Sequence, residues 1–554
     1  MPFRRFLVAI AAALTLSACQ TVAYLGPRPT LAVVNARVWT GVDSRPWAQA
    51  LAVDSAGRIT AVGTTAQVSR LGAITVIDAK QQMVVPGFID SHEHFLDGGF
   101  GLASVQLRDV RTKAEFIMRI RDYARTLPKG AWITNGDWDH TNWGGELPQR
   151  SWIDSVTPDN PVWINRLDGH MSLANSLALS TARLTRDMRE IAGGEIVRDV
   201  AGELTGVFKD NAMDAVSAVV PAAPAAMEDR ALDAAMNYVA SRGVTSVANM
   251  GTWNDLAAFR RAHDSGRQLT RIYAVTPMAD WTRLRDTVAV RGRGDDWLRI
   301  GGVKGFVDGS LGSHTAAMFD GFTDKPSDKG FFVTPPESLY ARTSGADKAG
   351  LQVVVHAIGD RAISTQLDIF ARVARENGPR DRRFRIEHAQ HISSRDIGRF
   401  GKQGVIPSMQ PYHAIDDGRW AEPLIGADRA SRTYAFRSLL DAKAILAFGS
   451  DWFVAPPNVM EGIYAAVTRR TLDDRSPGGW VPAQKITVQE ALKAYTRGSA
   501  FAEFEEANRG TLDVGMLADF AILDRDITTI DPAQLRTVRV MRTVVGGRTV
   551  FERK

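Results

Sequence analysis

Eight short apolar runs recur between residues 83 and 453. In order they are "MVVPGFIDSHEHF", "GVTSVANMG", "TRIYAVTP", "IGGVKGFVDGS", "LQVVVHAIGD", "RFRIEHAQ", "GVIPSMQPYH" and "AILAFGSDWF". Segments of helical character separate them. Near-continuous apolar strands alternating with helices indicate a parallel sheet covered on both faces. Eight such strands point to a closed (β/α)8 barrel, with an open doubly wound sheet as the alternative. Most spacings are ~30–50 residues, the length of a βα unit. The exception is residues 96–242, which read as a large insertion over the barrel mouth.

The flanks have a different texture. "LAVVNARVWT", "ALAVDSAGRITAVG" and "AITVIDAK" are short strands with turn signals, and "DFAILDRD" and "VRVMRTVVGGRTVFE" repeat that texture at the other end. The economical arrangement is one small β-sandwich built from residues 30–86 and 501–554. It would sit beside a barrel of residues 87–500. The expected fold class is therefore α/β, a TIM-like barrel with a composite sandwich.

In such barrels the active site lies at the carboxyl ends of the strands. The first strand ends in "DSHEHF", where residues i and i+2 share a face, so His92 and His94 project together and Glu93 turns away. His356 ends the fifth strand, His388 the sixth and Asp451 the eighth. The chain has ten histidines, and four of them fall at the ends of three strands. Two imidazoles on one strand end make half of a metal site. Lys304 lies inside the apolar fourth strand, where a charged amine is costly to bury. Three readings stand for it: snorkelling, a pair with Asp308, or carboxylation to an anionic carbamate able to bridge two cations.

HxH on strand one, Lys on four, His on five and six and Asp on eight resembles the amidohydrolase superfamily. The finer motifs are similar to amidohydrolase family 3, the branch with N-substituted formamide deformylases. They are "VVPGFIDSHEHF", "RLDGHMSLANSLAL", "VKGFVDGSLGSHTAAMFDG", "HAIGDRA", "RIEHAQ", "SMQPYH", "FGSDW" and "RGTLDVGMLADFAILDRD". The resemblance covers roughly residues 30–554. It implies a hydrolase of non-peptide C–N bonds, with a metal shell of His92, His94, Lys304, His356, His388 and Asp451. Zinc, as one or two ions, suits those donors. Asp451 would be the general acid and base. In the insertion, Asp168 and His170 are implied to face the small-molecule amide substrate. Gln410 and His413 at the end of strand seven are candidate substrate contacts, and Asp360 and Arg361 an ion pair behind His356. Ala248–Asn249, His314, His140 and Phe453 depart from the family's usual residues, and all bear on specificity rather than on the metal. A cyclic amidohydrolase, a deaminase and a non-catalytic metal- or solute-binding lipoprotein are the competing readings.

The amino terminus reads as an address. Arg4 and Arg5 precede the apolar "FLVAIAAALTL", which is too short to span a bilayer as a mature helix. "LSAC" then ends at Cys19 and resembles a bacterial lipoprotein signal, with Cys19 lipidated and residues 1–19 the signal region. Gln20, rather than Asp, tilts sorting toward the outer membrane. The expectation is an exported, lipid-anchored or periplasmic protein that meets the membrane through Cys19. Cys19 is the only cysteine, so no intrachain disulfide is available. Lys plus Arg is 67 against 62 for Asp plus Glu, with no dense basic run, so nucleic acid is not an expected partner. The chain is also compatible with a homo-oligomer.

Overall fold

The computed structural model describes residues 27–554. Cys19 and the rest of the signal region lie outside them. Eight parallel strands form a single nearly closed sheet: β1 (Phe88–Glu93), β2 (Val244–Met250), β3 (Arg271–Pro277), β4 (Leu298–Phe306), β5 (Gln352–Ala357), β6 (Arg385–His388), β7 (Ile406–Met409) and β8 (Ala447–Phe448). These are the eight apolar runs, and β1, β2, β5, β6 and β7 are buried at every position. Burial on both faces is what a barrel strand requires, because helices cover the outside and side chains fill the inside. Inside, Ala248, Met250, Tyr273, Val275 and Val354 pack together.

Helices follow the strands with the expected periodicity. The helix Asp360–Glu376 turns Ile363, Leu367, Phe370 and Val373 inward, at spacings of three and four, and leaves Asp368, Arg372, Arg375 and Glu376 outside. Thr252 caps the helix after β2 in a reciprocal capping box with Asp255.

The seam between β8 and β1 is closed at the site itself. The Asp451 amide donates to the His92 carbonyl at 2.7 Å, and the His94 amide to the Trp452 carbonyl at 2.6 Å. The Asp90 carboxylate accepts from the Ser450 amide at 2.8 Å and the His92 amide at 3.2 Å. Gly449 permits this approach: a Cβ there would stand 2.6 Å from both Asp90 Oδ1 and the His92 nitrogen.

The termini meet in a six-stranded sheet. Met83–Pro86 pairs antiparallel with Phe520–Leu523, so N-terminal and C-terminal strands lie side by side. A four-stranded sheet of N-terminal strands packs over it, through Val33, Leu51, Phe520, Ile522 and Val544. Arg271 of β3 clamps Asp519 at 2.7 Å and ties the sandwich to the barrel.

The span 96–242 holds a five-stranded sheet with its own core around Trp138, Trp152, Ile164 and Leu173. The barrel reclaims its last part, the helix Ala225–Ala240, which packs through Leu232, Met236 and Val239. Among the described residues no helix is long and apolar enough to cross a membrane.

Candidate metal centre and substrate cavity

The carboxyl ends of β1, β5, β6 and β8 bring His92, His94, His356, His388 and Asp451 into one cluster. Ligand atoms of His92, His94 and Asp451 all lie within 4.8 Å of one another, as do those of His388, His413 and Asp451. Asp451 Oδ1 is 3.4 Å from His92 Nε2 and 3.5 Å from His94 Nε2. That oxygen is buried and accepts no hydrogen bond. The His356 and His388 rings are 4.6 Å apart, and the His92 and His388 rings 4.8 Å. Lys304 Nζ stands 3.4 Å from His92 Nε2. Asp308, the alternative partner of that lysine, is occupied elsewhere, accepting from the amides of Ala317, Ile358 and Gly359. His388 and Asp451 adopt positive φ, 70° and 61°. Non-glycine residues in that region mark sites where the surroundings hold a side chain against backbone preference.

The ring nitrogens are committed in a pattern suited to metal ligation. His92 Nδ1 donates to Glu387 Oε2 at 2.5 Å, and Arg385 holds the other oxygen of Glu387 at 2.9 Å. His388 Nδ1 donates to Gln410 Oε1 at 2.9 Å, and His356 Nε2 to the Gly309 carbonyl at 3.1 Å. Each ring thus gives one nitrogen to the protein and keeps a lone pair on the other. Metal-binding histidines use this arrangement to fix tautomer and orientation.

Burial sets the charge state. It pushes His92, His356 and His388 well below the usual imidazole range, and His94 down to about 3. Lys304 and the neighbouring imidazoles add to the effect. Burial also brings Lys304 down to about 8 and, in the metal-free protein, raises Asp451 to about 8. The imidazoles are therefore neutral while Lys304 still carries charge near neutral pH, and neutral ring lone pairs and one unpartnered carboxylate oxygen converge. Such a donor set fits a divalent cation, which would relieve the desolvated carboxylate.

The hairpin between Val162–Asn165 and Met171–Ala174 lowers its tip, Leu167–His170, toward this centre, turning through Gly169 at φ 72°. Asp168 is fixed by Arg166 at 2.6 Å and by Ser310 and Ser313 at 2.5 and 3.1 Å. Burial alone would raise its carboxyl, but Arg166, His170 and Ser310 hold it down to about 2. His170 Nδ1 donates to Asp210 Oδ1 at 2.6 Å, and its ring is 4.8 Å from that of His356. Burial works against the imidazolium there, yet Asp210 and Asp168 keep His170 above its ordinary range. Asp168 and His170 both line two connected lobes above the metal ligands. One is more enclosed and reaches Arg166, His413 and Trp420; the other, of about 390 Å³, opens past Phe306 and Phe453.

Several placements differ from expectation. Gln410 is fully buried behind His388, so it orients a metal-ligand candidate and does not line the cavity. Asp360 and Arg361 form no ion pair: Asp360 accepts from the Phe319 amide, and Arg361 lies over the Phe332 ring. His413 does reach the enclosed lobe, where its Nε2 is buried without a partner. Of the departures from the family's residues, only Phe453 enters the cavity, 5.7 Å from the His94 ring. His140 accepts from Arg166 at 3.2 Å, Asn249 binds the Phe95 amide at 2.8 Å, and His314 pairs with Asp324 away from the centre. Glu387, Arg166 and Asp210 complete the site without having been singled out. Glu387, inside "RIEHAQ", and Arg166, at the head of "RLDGHMSLANSLAL", carried a local signal; Asp210 did not.

The sequence profile of the amidohydrolase family matches residues 75–551. The chain belongs to the amidohydrolase family. It is 39% identical to Protein LONG AFTER FAR-RED 3 of Arabidopsis thaliana, over 94% of this chain and 91% of that protein. It is 29% identical to the N-substituted formamide deformylase of Arthrobacter pascens, over 94% of this chain and 98% of that enzyme. An uncharacterized metal-dependent hydrolase from Pyrococcus furiosus superposes with a TM-score of 0.71 at 28% identity, covering 90% of this chain and 100% of that one. The chain is thus a metal-dependent hydrolase of the amidohydrolase type.

Proposed function

We propose that this amidohydrolase cleaves a non-peptide C–N bond of an amide or formamide-like small molecule, with Asp451 as general acid and base. The observation that carries the reading is Asp451 itself, whose unpartnered Oδ1 faces both His92 Nε2 and His94 Nε2. The similarity to an enzyme named for formamide deformylation supports the same bond class. His92, His94, Lys304, His356, His388 and Asp451 would hold one or two divalent cations, zinc by donor type. Such a cation supplies Lewis acidity to the substrate carbonyl and acidifies water near it.

The chain's own groups do the rest. Asp451 takes the proton of the attacking water and returns it to the leaving amine nitrogen, so the carboxylate ends the cycle as it began. Asp168, His170 and His413 orient the substrate from the hairpin tip and from the end of β7. The Lys304 amine, brought toward neutrality by burial, is able to add carbon dioxide and lose a proton. The resulting carbamate is an anionic oxygen donor in place of a cation. Residues 1–19 would direct export, and a lipid on Cys19 would fix the enzyme to the cell envelope.

Asp451→Asn tests the assignment. Asn preserves the shape but cannot accept the proton, so the variant should fold, keep most of its histidine-bound metal and lose at least ~10²-fold in kcat on N-acyl and N-formyl amines. Near wild-type kcat would show that Asp451 is not the base.

A further inference from the structure

Two exposed apolar side chains stand two positions apart at one sheet edge, beside the point where the described chain begins. Ile74 is 66% exposed and Val76 57%. Ile74 stands in the bend that leads directly into the strand carrying Val76. Val76 belongs to Thr75–Asp78, the edge strand of the four-stranded sheet, which among the described residues pairs only with Leu31–Val34. Its alternate residue, Ile77, is buried in the sandwich core. No other large hydrophobic exposed among the described residues has a second one two positions away.

The amino-terminal segment leaves along this same edge. The Ile74 amide donates to the Pro29 carbonyl at 3.0 Å and the Thr75 amide to the Thr30 carbonyl at 3.0 Å, while Arg28 binds the Gly72 carbonyl. Cys19 is eight positions before Pro27. Eight residues span at most about 28 Å when fully extended. A lipid on Cys19 therefore confines this edge to the neighbourhood of the bilayer surface. The surrounding charge matches an anionic surface: Arg28, Arg70 and Lys80 are exposed around the pair, with Asp78 the one acidic residue between positions 55 and 89. Basic side chains near a bilayer are drawn to anionic headgroups.

We propose that the Ile74–Val76 edge is the membrane-docking face of this protein. It seats on the anionic phospholipid surface to which Cys19 is anchored and so fixes how the barrel is presented. The proposal rests on the lipid-anchor reading of Cys19 and goes beyond it by naming the face that touches lipid. With Cys19 acylated, the full chain has no free thiol, so Val76→Cys gives a unique labelling position. Val290→Cys, 83% exposed on the barrel helix Trp281–Arg291, gives the control.

Each lipidated full-length variant is labelled with a polarity-sensitive fluorophore. It is then reconstituted into vesicles of phosphatidylglycerol and phosphatidylethanolamine containing brominated lipid, and mass spectrometry of the N-terminal peptide reports the acyl chains. The expected result is a blue-shifted, quenched probe at position 76 and a water-like, unquenched probe at 290. Acylated Cys19 with both probes unquenched overturns the docking face and leaves the anchor standing. Quenching at both positions overturns it as well, because the contact is then not specific to this edge. Unmodified Cys19 overturns the anchor reading and the docking with it. A blue shift at 76 that appears without lipid and grows with protein concentration assigns the edge to a second copy of the chain and overturns the bilayer as occupant.

Discussion

The barrel rim and the hairpin above it hold ionisable groups by opposite means. At the rim, burial works against charge: four imidazoles are kept neutral and the Lys304 amine is pulled down to about 8. At the hairpin tip, partners preserve charge against equal burial: Arg166 holds Asp168 ionised, and Asp210 raises His170. Neutral lone pairs are what a cation needs, and charged, prearranged groups are what a polar substrate needs. The contrast separates metal binding from substrate handling within one cavity.

Breaking the rim should have the larger effect. Lys304→Ala should lose bound metal and at least ~10²-fold in kcat, the scale of losing one transition-state stabiliser. If Lys304 carries a carbamate, added short carboxylic acids should restore part of both. Wild-type metal content in the variant would remove Lys304 from the ligand set. Glu387→Gln should be milder, because it touches no metal and only unsettles the His92 tautomer. A 10–100-fold weaker metal affinity is the expected scale for such a partner, read by competition with a chelator.

The hairpin gives the smallest effect, visible in acid stability. Asp168 titrates at about 2 rather than at the ordinary 3.8. A depressed carboxyl stabilises the fold above its unfolded value and loses that contribution as pH falls through the folded one. The contribution is roughly 2 kcal/mol at neutral pH. The stability gap between wild type and Asp168→Asn should therefore shrink steadily from pH 4 to pH 2. A gap that stays constant over that range would mean that Arg166 does not hold Asp168 ionised.

What was legible in the sequence divides along the same line. His92 and His94, and the histidine or aspartate ending β5, β6 and β8, follow from strand periodicity and from the rule that barrels place chemistry at strand ends. These are local facts, readable within a run of ten residues. The hairpin depends on pairing across distance: Asp210 meets His170 forty positions away, and Ser310 meets Asp168 across 142. No periodicity predicts such partners. Gln410 shows the same limit at the rim. Its position at the end of β7 is correct, but register alone does not say whether a side chain faces the cavity or supports the histidine beside it.

The central claim is that the rim constellation is a catalytic metal centre. Its most direct test is hydrolysis of N-acyl and N-formyl amines by exhaustively demetallated protein, with metal content measured in the same samples. The account predicts that activity disappears with the metal and returns on adding zinc or a similar divalent ion. Full turnover by metal-free protein would contradict it.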